Sequence, residues 1–218
     1  MWSELSKPWQ ICFEQAWDSY CNGSIPIGAV LVDENGSIIL TGRNRINEKK
    51  APVNQICYNK LAHAEMNVLL QIELNKYPDL KKYTLYTTME PCTLCFGAIV
   101  MGTIRKVKYA ARDKIAGSMS LIKANEFLIS KSIEVDGPDT RLEIFQLVIK
   151  SDYILREFPN ESDRLLGAWE QDCPLGVELG RKWHKEGVLL NSKNNHDHIS
   201  NIIDQIEKEI KTNCKIDI

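Results

Sequence analysis

The chain has 218 residues, a formal net charge of −2 and 44% hydrophobic residues. It is long enough to bury a substantial core as one domain with an appendage, and its charge gives no electrostatic footprint for a large polyanion-binding surface. There is no uncharged apolar run of about 20 residues to span a bilayer. Met1 to Leu5 lacks the regions of an export signal, and seven cysteines without secretory spacing point to a reducing, cytoplasmic setting.

In chain order, Pro8 to Tyr20 carries Trp9, Phe13, Ala16, Trp17 and Tyr20 at helical spacing, with Asn22-Gly23 to end the helix. Its tryptophans are read as core packing rather than base-stacking platforms. Residues 27–32, the turn Asp33 to Gly36 and residues 37–40 form an expected β-hairpin. Met66 to Leu74 reads as a helix buried on most sides, stopped by Tyr77-Pro78. Tyr83 to Thr88 is an expected strand. A helix opened by Pro91, a strand over 106–110, a short helix over 125–129, a strand over 132–135 and a long helix over 141–157 follow. Helix crossovers between strands imply parallel pairing beside the antiparallel hairpin. The expected fold is therefore a three-layer α/β/α sandwich with a mixed five-stranded sheet, over residues 1–150.

His63-Ala64-Glu65 and Pro91-Cys92-Thr93-Leu94-Cys95 carry the chemistry. One imidazole and two thiolates make three protein ligands, and a catalytic zinc keeps its fourth tetrahedral position open. Cys92 and Cys95, three apart, share one face of a helix start, where the macrodipole favours thiolates. His63 and Glu65 differ by about 200° on an ideal helix, so they are expected at the irregular start of theirs. Glu65 is placed to move the protons of the attacking water. A structural zinc would call for a fourth ligand, for which Cys57 is the nearby thiol. A redox pair at Cys92 and Cys95 would not need His63 or Glu65. The complete signature favours catalytic zinc.

These motifs, together with Ile25 to Val32, Gly42-Arg43-Asn44, Thr88-Met89-Glu90 and Ala111 to Gly117, resemble the cytidine-deaminase-like superfamily over about residues 5 to 135. Within it they are similar to the tRNA adenosine and guanine deaminases. The resemblance implies zinc on His63, Cys92 and Cys95, with Glu65 as catalytic acid/base. It further implies that Asn44 hydrogen-bonds the substrate, Ala64 offers a backbone contact and Ile27 packs on the base.

Two features differ from the tRNA enzymes. The connection from Asn44 to His63 is longer and is expected at the pocket mouth. Residues 151–218 add a helical C-terminal extension with 9 Lys+Arg against 13 Asp+Glu, a poor tRNA clamp. Its apolar stripes, Leu165, Leu166 and Trp169, then Ile199, Ile202, Ile203, Ile206 and Ile210, suit a cap on the core, a lid or a dimer element. Cys173 to Gly176 is expected as a break and Asn191 to Asn195 as a polar loop, while His196-Asp197-His198 is read as an exposed cap rather than a second metal site. Cys12, Cys21, Cys173, Cys214 and His184 are read as structural or surface residues. The expected activity is zinc-dependent hydrolytic deamination of a small-molecule nucleobase or nucleoside, with ammonia released, by a homodimer without membrane contact. The alternatives are deamination of tRNA or single-stranded nucleic acid, and a non-catalytic zinc-binding scaffold.

Overall fold

The computed structural model describes residues 1–213, so Cys214 lies outside the described residues. The first helix, α1 (Lys7–Cys21), carries Pro8 in its first turn, where a missing N–H costs nothing. It buries Cys12, Phe13, Ala16, Trp17 and Tyr20 at the spacing that the sequence sets. The hairpin strands β1 (Gly28–Val32) and β2 (Ile38–Arg43) pair antiparallel, with Ala29 opposite Gly42 and Val30 opposite Thr41. All five β1 residues are buried, as expected of a strand covered on both faces.

The helix α2 (Ala64–Leu69) leads to β3 (Thr84–Met89), α3 (Thr93–Met101) and β4 (Lys106–Ala111). After α4 (Glu126–Ser130), the short strand β5 (Glu134–Asp136) completes the sheet. Strand order is β2-β1-β3-β4-β5, with β1 antiparallel to β2 and β3, and β3, β4 and β5 parallel. This is the mixed five-stranded sheet expected from the pattern of hairpin and crossovers.

The two faces of the sheet are covered differently. Ala29, Leu31, Leu85 and Val107 pack with Ala64, Val68, Phe96 and Ile99 from α2 and α3. On the other face Val30 and Val32 meet Cys12 of α1, and Met89 and Ala110 pack with Phe13 and with Phe145 and Val148 of α5 (Thr140–Glu157). The extension adds a further layer over α1 and α5. Its helices α6 (Ser162–Glu170), α7 (Pro174–Glu186), α8 (Val188–Asn194) and α9 (Ile199–Asn213) insert Leu166, Val177, Trp183, Leu189, Ile202 and Ile206 into that same core.

Because the sheet lies on one side and α7 on the other, Leu142 to Ile154 is buried on every turn of α5. That run includes Glu143, Gln146, Lys150 and Asp152. Arg112 forms a two-pronged ion pair with Glu143, at 3.0 and 2.8 Å. Asp152 accepts from the Tyr20 hydroxyl and from Arg156, and pairs with His184 Nδ1 at 3.0 Å. Position 150, where the sequence divides deaminase unit from extension, falls inside α5.

Three local expectations differ from the structure. The helix after His63 ends at Leu69: Leu70 and Leu74 are exposed, so the apolar residues up to Leu74 do not continue one buried helical face. Tyr77-Pro78 therefore does not stop it. Pro91 precedes the N-cap of α3 rather than opening the helix. The stretch 191–194 is helical, not a loop: Gly187, with φ +69°, ends α7 and begins α8, and fully buried Leu189 anchors the short helix despite its weak formers.

Candidate active site

His63 is the N-cap of α2 and Cys92 the N-cap of α3, each with extended backbone angles. The two helix starts face one another beside the sheet. The N-cap position resolves the spacing problem of His63 and Glu65: the cap residue is not yet helical, so its side chain is free of the 100° step that governs the following residues. His63 Nδ1 lies 3.4 Å from Cys92 Sγ and 3.4 Å from Cys95 Sγ. The three ligand atoms lie within 4.8 Å of one another, and among the described residues they form the one group of three or more such side chains able to share a metal ion. Neither Cys57 nor His196-Asp197-His198 belongs to it. His198 instead engages Ser200 at the start of α9, while the Asp197 carbonyl accepts from Trp17 Nε1.

The donor set fits zinc. Two soft thiols and one imidazole match its ligand chemistry, and three protein ligands leave a fourth position. Cys95, in the first turn of α3, is fully buried, and its closeness to Cys92 pushes the Cys92 thiol down, with His63 acting in the same sense. Cys95 itself is pushed up by the neighbouring Cys92, by burial and by the Glu65 carboxylate. Both sulfurs lie at the start of α3, where the dipole favours the thiolates that zinc needs.

Glu65 is 4% exposed. Its Oε1 accepts from the Thr87 hydroxyl at 3.0 Å, and its Oε2 accepts from the Cys95 thiol at 3.3 Å. Burial pushes its carboxyl up. A carboxyl so placed is nearer to the balanced protonation that acid/base work requires.

The other expected residues surround this centre. Asn44 is 1% exposed; its N–H donates to the Ile27 carbonyl at 3.0 Å, and its Oδ1 accepts from the Ile46 amide at 3.1 Å. Ile27 is half-buried at the entry to β1 and packs with both main core clusters. Ala64 is the first residue of α2 and is fully buried.

Two glycines fix the layers around these residues. A Cβ on Gly42 would stand 2.7 Å from the Ala64 carbonyl oxygen and 2.8 Å from Val68 N, and one on Gly28 would stand 2.1 Å from the Cys12 carbonyl oxygen. Only glycine lets α2 and α1 lie this close to the hairpin.

Sequence reasoning missed two residues. Thr87 holds Glu65, and the available signal was the two-residue alternation of β3, which puts its hydroxyl on the same face as buried Leu85. Asn67, read as helix interior, is fully buried. Its Nδ2 donates to the Arg43 and Ile56 carbonyls and its Oδ1 accepts from Ile56 N, tying α2 to the long connection after Asn44. Buried Glu48 pins the same connection by pairing with Arg43 and Arg45 at 2.9 and 2.6 Å.

Fold and donor set together define a zinc-binding α/β/α protein of the cytidine-deaminase type. The chain belongs to the cytidine and deoxycytidylate deaminase family, whose zinc-binding region matches residues 3–111. It is 35% identical to a tRNA-specific adenosine deaminase of Aquifex aeolicus, over 50% of this chain and 68% of that protein. It is 28% identical to a cytosine deaminase of Candida albicans, over 55% of this chain and 74% of that one. A guanine deaminase structure from Nitrosomonas europaea shares the fold, with a TM-score of 0.50 and 22% identity over 67% of this chain and 82% of that one. Among the described residues no helix is long and apolar enough to cross a membrane.

Proposed function

We propose that the protein is a zinc-dependent hydrolytic deaminase of an amino-substituted nucleobase or nucleoside. The observation that carries this reading is Glu65: a buried carboxylate, held by Thr87, in contact with one thiol of a His-Cys-Cys donor set. A scaffold that only bound zinc would have no use for it. Zinc, when held by His63, Cys92 and Cys95, supplies Lewis-acid activation of water at neutral pH. With Cys95 deprotonated as a ligand, Glu65 Oε2 loses that partner and is free to take the proton of the attacking water. The same carboxyl then delivers protons to the ring nitrogen and to the departing amine, so one residue serves as base and then acid. Ammonia leaves, and an oxo group replaces the amine.

Asn44 orients the substrate in this reading. Its Oδ1 is engaged by Ile46, so Nδ2 is the group left to address an acceptor on the base. Ile27 supplies an apolar wall, and the Ala64 amide, in the first turn of α2, has no partner within the helix and can donate to the base. The extension packs over α1 and α5, across the sheet from α2 and α3, which favours a cap over a lid. A homodimer belongs to the same reading, with exposed Leu70 and Leu74 after α2 and Met101 at the end of α3 as its apolar contacts. So does a reducing, cytoplasmic setting for the free thiols of Cys12, Cys21, Cys57 and Cys173.

A second reading, deamination of adenosine in tRNA, is favoured by the 35% identity to the Aquifex aeolicus enzyme. The net charge of −2 and the acidic extension argue for the small substrate. Titration against labelled tRNA at two salt concentrations separates the two. Weak binding supports the small-substrate reading, whereas tight binding that falls steeply with salt overturns it in favour of the tRNA.

A further inference from the structure

A concavity of about 250 Å³ lies between α5, α6 and the loop after β4. Two hydrogen-bond donors among its lining residues have no acceptor among the described residues. Lys150 of α5 is 7% exposed; among the described residues its ammonium forms no ion pair and faces the Trp169 ring, 5.7 Å from the centroid. Trp169 of α6 is 4% exposed, and its Nε1 is buried without a hydrogen-bond partner. Ile154, Phe158 and Leu165 supply an apolar wall, with Asp113 and Glu161 also lining the hollow. Elsewhere along α5 the buried charges Glu143 and Asp152 are each matched by a cation. An indole N–H buried without an acceptor, with an unpaired ammonium facing the same ring, is costly, which sets this hollow apart.

We propose that this hollow is a second binding site, taking a small monocarboxylate with an apolar body. The carboxylate pairs with the Lys150 ammonium and accepts from Trp169 Nε1, and the body packs on Phe158, Ile154 and Leu165. The Lys150 ammonium matches one negative charge; Asp113 is engaged by the Ile115 and Ala116 amides and Glu161 by Arg164, and their carboxylates disfavour any anion of higher charge such as phosphate. Burial lowers the Lys150 ammonium to about 8, against the smaller opposing effect of the Asp113 carboxylate. The site is separate from the deaminase centre yet linked to it. Asp113 N donates to Glu90 Oε2, and the same loop reaches Cys92 through a backbone bridge at Gly117.

The full chain labelled with 15N at its indoles provides the test, with benzoate and 3-methylbutanoate as probes and Trp169→Phe to assign the Trp169 signal. Either probe should shift that signal saturably. Lys150→Met, which keeps an unbranched apolar stem, should weaken binding by about ten-fold or more, and uncharged benzamide should be weaker by a similar factor. Inorganic phosphate should leave the signal in place. If neither carboxylate shifts it, the proposal is overturned from wild-type protein alone, whatever the variants do. Undiminished binding to folded Lys150→Met, or phosphate binding as well as benzoate, overturns it equally.

Discussion

The Cys95 thiol lies 3.3 Å from Oε2 of Glu65, so a metal-ligand position and the carboxylate assigned to proton transfer are in direct contact across the starts of two helices. Substitution can nevertheless separate their roles. Glu65→Gln should retain zinc and the fold while lowering turnover by about 10²–10⁴-fold, the usual contribution of general acid/base catalysis. Zinc content and steady-state ammonia release on the same preparation check this. Near-normal turnover with zinc bound would assign the protons to another group.

Removing a thiol should act on metal and fold together. Cys95 is fully buried in the first turn of α3, beside Phe96 and Ile99. Cys95→Ala is expected to lose most bound zinc and to melt at lower temperature than the zinc-loaded wild type. A chelator should lower the wild-type melting temperature in the same direction, since metal held only by the native state stabilises it. Undiminished zinc in Cys95→Ala would remove this cysteine from the ligand set.

Gly42 tests how the hairpin positions His63. A methyl group there meets the backbone of α2 at Ala64, Asn67 and Val68, all within 2.9 Å. Backbone cannot rotate aside as a flexible side chain can. Gly42→Ala should cost about 1–3 kcal/mol of stability and weaken zinc retention by displacing the helix that His63 caps. Denaturant titration paired with metal analysis reads both effects, and an unchanged midpoint would show that the close approach is not strained.

The ligand set and the acid/base residue are legible in sequence because each lies in a local motif: a helix cap supplies the geometry, and three or four residues define it. Thr87 is harder to see. It is one hydroxyl in an alternating strand, and its partner lies 22 positions away in the chain. The five-stranded sheet was likewise readable from turns and crossovers. The end of α2 was not, since whether Leu70 and Leu74 are covered depends on tertiary packing. For the same reason the stripes of the extension foretell burial without naming their partner. The partners are α5 for the stripe of α6 and α1 for that of α9; α7 covers the second face of α5, and that is how Glu143, Lys150 and Asp152 come to be buried.

Lys150 gives a pH test that is independent of the metal centre. Burial lowers its ammonium from 10.5 to about 8, so the unfolded chain holds this proton more tightly than the native protein. The group therefore opposes folding below about pH 8, and the penalty fades as pH rises from about 8 towards 10.5. Its neighbours Asp113 and Glu161 remain in both proteins when Lys150 is replaced. Lys150→Met should then be more stable than wild type at pH 7 by up to about 3 kcal/mol, with the difference shrinking by pH 10. Denaturant unfolding of both proteins at the two pH values checks this, and a constant difference would contradict it.

Deamination of a small base or nucleoside at this zinc centre releases ammonia, and that product is the one to measure. Zinc-loaded wild type and Glu65→Ala should be incubated in parallel with adenine, guanine, cytosine, their nucleosides, tRNA and single-stranded DNA. The wild type should release ammonia from at least one free base or nucleoside, and Glu65→Ala should lose nearly all of that activity. Release from tRNA or DNA alone, or release that persists without Glu65, would contradict the proposed function.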